Sequence, residues 1–185
     1  MKKHIIVENY LVVGELSYQT DNTIEVGADV DVGDVYVNGK VYKLNFPVDE
    51  NTFKDLKPEE VKAKIKELEE QEKLKAIYDS CRNYIYQYYP IDKQASDQAD
   101  KEYYTTLLKA KGIDNLEAVV VAKVQDFFND VPLENLVDDV VDEDKEAYIQ
   151  LIKVGIRVTW VQMCKQELKL AITENREPKF PEYPL

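Results

Sequence analysis

The chain reads as an α+β protein, with a small N-terminal antiparallel β module followed by a helical body containing one or two long helices. Two observations predict this. Before Pro47, apolar residues alternate with polar ones, and an Asn38-Gly39 dipeptide between β-rich runs offers a hairpin turn. After Pro58, apolar residues recur three and four apart, which is the spacing of one helix face. The change of register divides the chain into a β-hairpin or meander module over 1–50, a helical domain over 51–176 and an extended tail over 177–185.

Ile5-Ile6-Val7 and Tyr10 to Leu16 are β-rich runs, with Glu8-Asn9 as the expected tight turn between them. From Ile24 to Val32 alternation is strict and predicts a half-buried strand, with Asp29 and Asp31 on its solvent face. Val35-Tyr36-Val37 and Lys40-Val41-Tyr42 flank Asn38-Gly39, whose residues tolerate the positive φ angles of a type I′ turn. Pairing across that turn sets Val35 opposite Tyr42 and Tyr36 opposite Val41, so both faces of the hairpin are apolar.

Lys57-Pro58-Glu59-Glu60 opens a helix, with proline at the first position and acids in the first turn. Its seam runs Val61, Ile65, Leu68, then Leu74, Ile77, Cys81, Tyr84 or Ile85 and Tyr88, shifting near Gln71, and Pro90 ends it. Glu60 with Lys64 and Glu69 with Lys73 are the expected surface pairs. At 1.5 Å per residue the helix is about 45 Å long, more than a compact domain needs. It is therefore expected to mediate self-association or partner docking, unless it folds back on its neighbours.

A second helix is expected from about Ser96 to Lys111, with Ala99, Tyr103 and Leu107 as its stripe and Gly112 as its stop. Asp114 is the expected cap of a third, through Leu116, Val119, Val120, Val124, Phe127 and Phe128, with a strand at Val119–Val121 as the alternative. The last runs from about Glu143 to Asn175, with Tyr148, Ile152, Ile156, Trp160, Cys164, Leu168 and Ile172 four apart. The prolines after it preclude more helix.

The 185 residues are 44% hydrophobic and contain no apolar run long enough to span a bilayer. Glu8-Asn9 interrupts the only apolar patch near Lys2-Lys3, so no secretory region forms and a cytoplasmic protein is expected. With 24 basic and 36 acidic residues the net charge is −12, which argues against nucleic-acid and anionic-membrane partners. The acidity is local: Asn129 to Glu146 holds eight acids against one lysine. Cys81 and Cys164 lie in apolar helical patterns without metal or redox spacing, and read as buried free thiols rather than a disulfide.

No catalytic set emerges. His4 is the only histidine and reads as a surface or edge-strand residue, with no nucleophile near it in sequence. Asp29, Asp31, Gly33 and Asp34 depart from a calcium loop, because Gly33, Asp34 and Lys40 occupy the positions that need Asp or Asn, Gly and Glu. The segment containing Asp138, Asp139, Asp142, Glu143, Asp144 and Glu146 reads as a solvated connection supplying helix-capping charge rather than a metal site. No metal or other cofactor is expected. Thirteen tyrosines against one tryptophan stand out. A residue with an apolar body and a polar tip suits protein interfaces, so Tyr36, Tyr42, Tyr84, Tyr86, Tyr88 and Tyr89 are the partner-binding candidates.

The stretch Asp31-Val32-Gly33-Asp34-Val35-Tyr36-Val37-Asn38-Gly39-Lys40-Val41-Tyr42, followed by Pro47, resembles one common in small bacteriophage tail proteins. Tyr88-Tyr89-Pro90-Ile91-Asp92-Lys93-Gln94-Ala95 resembles an element of phage tail-fibre assembly and tail-fibre-associated proteins. The resemblance implies a non-enzymatic phage or prophage accessory protein, made in the host cytoplasm and acting there or in the virion. It would bind a tail or tail-fibre component as an assembly chaperone or connector. The alternative is an acidic DNA mimic that inhibits a host DNA-binding enzyme.

Overall fold

The computed structural model describes residues 2–185 and shows an α+β architecture, with five strands followed by four α-helices and one 3₁₀ turn. The chain divides into two compact units, Met1–Lys75 and Ala76–Leu185, and the division falls inside helix α1 (Pro58–Tyr88).

In the first unit, β1 (Lys2–Glu8), β2 (Leu11–Leu16), β3 (Ile24–Gly27), β4 (Val35–Val37) and β5 (Lys40–Tyr42) form an antiparallel sheet in the order β3-β1-β2-β4-β5. Asn9 and Tyr10, both at positive φ, form the first turn, one residue later than the sequence suggests. Tyr10 remains anchored there because its hydroxyl donates to the Leu56 carbonyl at 2.9 Å. Asn38 (φ 51°) and Gly39 (φ 83°) make the expected hairpin, with Val35 opposite Tyr42 and Tyr36 opposite Val41.

The strand expected over Ile24–Val32 stops at Gly27. The buried Asp34 carboxylate accepts the Asp31 N–H at 2.8 Å, and Gly33 at φ 97° donates its N–H to the Val12 carbonyl. These bonds fold residues 28–34 into turns that tuck Val30 under the sheet. Lys43 bridges Asp31 and Asp34, at 3.0 and 3.1 Å, so these acids brace a turn rather than line a strand. His4 lies on β1, an interior strand, with its buried Nδ1 unpartnered among the described residues.

Both sheet faces are apolar. Ile5, Val12 and Val30 hold one core, and Leu11, Val35, Val37 and Phe53 hold the other with Val61 and Ile65 of α1. The α1 start follows from local chemistry. Pro58 sits at the first helical position, and Glu60 reaches back to accept the Lys57 N–H at 2.6 Å, one half of a capping box. Glu60 is thereby diverted from its expected pairing with Lys64, which meets Glu67 instead.

In the second unit, α4 (Asp142–Thr173) is the central helix, and α2 (Ile91–Ala110) and α3 (Leu116–Phe128) pack on it. Tyr148, Ile152, Ile156, Trp160, Cys164 and Leu168 are all buried, as their spacing predicts. Val119–Val121 is helical. Asn115, not Asp114, is the N-cap of α3, without a side-chain bond. Helix α2 begins five residues before the expected Ser96, directly after Pro90, whose carbonyl accepts the Gln94 N–H. Its inner stripe also differs: Tyr103 and Leu107 face solvent, while Asp97, Tyr104 and Leu108 face inward. The acidic connection is more than solvated chain. Leu136 and Val137 enter the core on a 3₁₀ turn, Asp139 pairs with Lys123 at 2.6 Å, and the buried Asp144 pairs with Lys111.

Candidate functional site

The six tyrosines do not form one site. Tyr36 and Tyr42 are half-buried on opposite faces of the sheet and complete its two cores. Tyr89 is buried in the helical unit beside the ion pair of Asp97 with Arg157. The guanidinium lies 5.9 Å from the Tyr89 ring centroid. Burial, reinforced by the Asp97 charge, pushes the Tyr89 hydroxyl up to about 12, so it stays protonated at neutral pH. Burial also pushes the Asp97 carboxyl up, but hydrogen bonds from Arg157 (2.9 Å from Nη2) and contact with Lys93 (2.7 Å) outweigh it, and the carboxyl titrates below its ordinary range.

Tyr84 and Tyr88 meet at an aromatic clasp with Trp160, Phe180 and Tyr183. Phe180 stacks on Tyr84 at 5.1 Å, Tyr183 stacks on Tyr88 at 5.5 Å, and both Tyr88 and Tyr183 turn edges to Trp160. The Trp160 indole N–H and the Tyr84 hydroxyl both donate to the Pro181 carbonyl, at 3.0 and 3.1 Å. Segment 177–185 carries neither helix nor strand and lies seated in this clasp. Tyr86 is exposed, and with Leu74 and Tyr78 it makes up the exposed apolar surface of α1 outside the clasp. The long seam expected to serve association is therefore largely spent on the two cores.

A second feature was not singled out in the sequence. Helices α2 and α3 both pack on α4 but meet each other sparsely, and an open groove of about 790 Å³ lies between them. Val120, Val121, Val124 and Phe128 form one wall, and Leu151, Val154, Val158 and Met163 of α4 form the floor. Large apolar groups stay in water here: Val121 is 51% exposed, Val158 47% and Met163 38%. Lys101, Thr105 and Lys109, one turn apart on α2, make the other rim. Neither lysine has a carboxylate partner among the described residues. Gly155 lets α3 approach α4, since a Cβ there would stand 2.6 Å from Val124 Cγ2.

The signal for this groove was present in three consecutive valines, Val119 to Val121. On a helix they sweep about 200°, so a neighbour on one side cannot cover them all. The clasp had a signal too. Pro178, Pro181 and Pro184 are three apart, as are Phe180 and Tyr183, the repeat of a polyproline helix.

Cys81 and Cys164 are free and buried, and burial pushes the Cys164 thiol up to about 12. Among the described residues no group of three or more His, Cys, Asp or Glu side chains is arranged to hold a metal ion, and no helix is long and apolar enough to cross a membrane. The chain matches no protein-family model, no curated protein and no solved structure.

Proposed function

We propose that this protein is a non-enzymatic phage or prophage accessory protein, an assembly chaperone or connector that binds a tail or tail-fibre component in the bacterial cytoplasm or in the virion. The observation that carries the binding reading is the groove on the helical unit, where contiguous apolar side chains remain in water. The resemblance of Asp31 to Tyr42 and of Tyr88 to Ala95 supplies the phage assignment.

The occupant is an amphipathic helix of the partner. At 1.5 Å per residue, Glu117–Asn129 and Leu151–Met163 each present about 18 Å of wall, roughly three turns, which suits apolar anchors at i, i+3 or i+4 and i+7. Lys101 and Lys109, two turns apart and without a carboxylate partner among the described residues, call for carboxylates at matching spacing on the occupant. The DNA-mimic alternative draws no such support. Asp139, Asp142 and Asp144 are engaged by Lys123, Lys145 and Lys111 rather than displayed as a row of free charges.

The test is co-expression with tail and tail-fibre subunits of the same phage or prophage. Wild-type protein should copurify with one of them, and Val121→Asp or Val158→Asp should abolish copurification while leaving helical circular dichroism intact. Recovery of a nuclease or polymerase instead would favour the DNA mimic. Retention by both groove variants, with loss in Tyr36→Ala and Tyr42→Ala, would move the site to the sheet.

A further inference from the structure

The clasp has the construction of a peptide-binding site, and it holds a peptide. A polyproline helix turns once in three residues, so prolines at 178, 181 and 184 fall on one edge and Phe180 and Tyr183 on another. Phe180 and Tyr183 are the two side chains that stack on Tyr84 and Tyr88. Between them the Pro181 carbonyl takes two donors, the indole of Trp160 and the hydroxyl of Tyr84. Upstream, Glu167 fixes the direction of entry: it accepts the Lys179 N–H at 2.6 Å and pairs with Arg176. Aromatic-lined grooves are a recurrent means of docking extended proline-rich segments, and here the groove holds the segment through its aromatic side chains and one proline carbonyl.

We propose that this clasp is a binding site for an extended, proline-rich segment with aromatic side chains three residues apart, presented by a partner protein, and that residues 177–185 are its built-in occupant. The chemistry is sequence-selective but light. Segment 177–185 joins no strand; its backbone is held through the Lys179 N–H and the Glu177 and Pro181 carbonyls, and its side chains by stacking and by the Tyr183 hydroxyl beside Arg157. A segment held in this way belongs to the low-stability end of a fold and can yield to a competitor. The segment also packs against Trp160, which is fully buried, and Cys164, fully buried too, lies in the same cluster. Displacement without replacement would expose both, and a competing ligand would cover them again.

The chain has a single tryptophan, so its emission reports the clasp alone. In the full chain, Phe180→Ala with Tyr183→Ala should shift Trp160 emission to the red and make Cys164 reactive to a thiol reagent, with helical circular dichroism unchanged. A synthetic peptide of residues 177–185 added to that variant should then restore the blue emission saturably and protect Cys164. The same peptide with alanine at both aromatic positions should do neither. Labelled wild-type peptide should bind the variant at least about tenfold more tightly than it binds wild-type protein, because a tethered segment competes at an effective concentration near millimolar.

If the double variant loses its helical signal, Tyr183→Ala alone, assayed in the same way, takes its place. A helical variant whose emission the peptide fails to restore would overturn the proposal and leave segment 177–185 as core. Equal rescue by the alanine peptide would overturn it as well. A wild-type dimer at tens of micromolar that the double variant dissolves would assign the trans occupant to a second copy of this chain, against the proposal.

Discussion

The two ends of α1 carry one apolar seam into two different kinds of core. At the Pro58 end, Val61, Ile65 and Leu68 meet Phe53, Val35 and Val37, a mainly aliphatic and phenyl environment with Tyr42 and Tyr10 at its edge, the Tyr10 hydroxyl bonded to the Leu56 carbonyl. At the Tyr88 end, Cys81, Tyr84, Ile85 and Tyr89 meet Trp160, Cys164, Phe180 and Tyr183, while a fully enclosed carboxylate pairs with Arg157 nearby. Between the ends, no side chain from Glu69 to Ala76 is buried. The lesson is about where recognition chemistry gathers. An aliphatic core needs only volume, whereas a core built from indole, phenol and guanidinium groups needs specific partners, and the same partners can serve a ligand.

The largest effects should separate the two kinds. In the sheet unit, Phe53→Ala should destabilise by about 3–5 kcal/mol, because it opens a cavity at a side chain with no exposure. In the helical unit, Arg157→Met should destabilise by about 3 kcal/mol, since the buried Asp97 loses its guanidinium and keeps, among the described residues, Lys93 as its one charged partner, beside the Tyr89 hydroxyl. The contrast lies in repair. Adding Asp97→Leu to Arg157→Met should recover most of the loss, because a buried pair replaced by apolar groups is often neutral. Urea unfolding followed by circular dichroism measures both, and a loss below about 1 kcal/mol for Arg157→Met would remove the distinction.

Gly155→Ala comes next. Within a helix that change ordinarily gains up to about 1 kcal/mol. Here the new methyl would meet Val124, so a net loss of about 1–3 kcal/mol is expected, with Val124→Ala relieving it.

A smaller effect should appear with pH. The Arg176 guanidinium and the Lys179 N–H hold Glu167 down to about 2, below its ordinary 4.5. The lowered value means that its anchoring of segment 177–185 is fully present above about pH 4.5 and is lost as pH falls toward 2. Trp160 emission should shift red across that window, and Glu167→Gln should remove the pH dependence. An unchanged profile in Glu167→Gln would show that the anchor plays no part.

The period of the sequence made much of the fold legible. The hairpin at Asn38-Gly39 and the α4 stripe from Tyr148 to Leu168 needed only backbone conformation and spacing, which are local properties. What escaped depended on partners distant in sequence. Asp97 occupies the inner stripe of α2 because Arg157, sixty residues later, neutralises it, so a polarity pattern assigns that stripe to the wrong face. The strand at Ile24 ends early because Asp34 and Val12 supply turn bonds that alternation does not reveal. Tyrosine clustering marked Tyr84 and Tyr88, which meet in the aromatic cluster with Trp160, but Tyr36 and Tyr42 look the same in sequence and lie within the sheet's cores. The groove escaped because each of its walls reads as ordinary core until α2 and α3 are seen to leave α4 uncovered between them.

Hydrogen exchange tests the central claim, that the helical unit rather than the sheet carries the binding surface, most directly. The full chain is compared free and with the tail or tail-fibre subunit that copurifies with it. Added protection confined to Leu116–Phe128, Leu151–Met163 and the facing side of α2 is the predicted result. Protection confined to β4 and β5, around Tyr36 and Tyr42, with the groove segments unchanged, would contradict it.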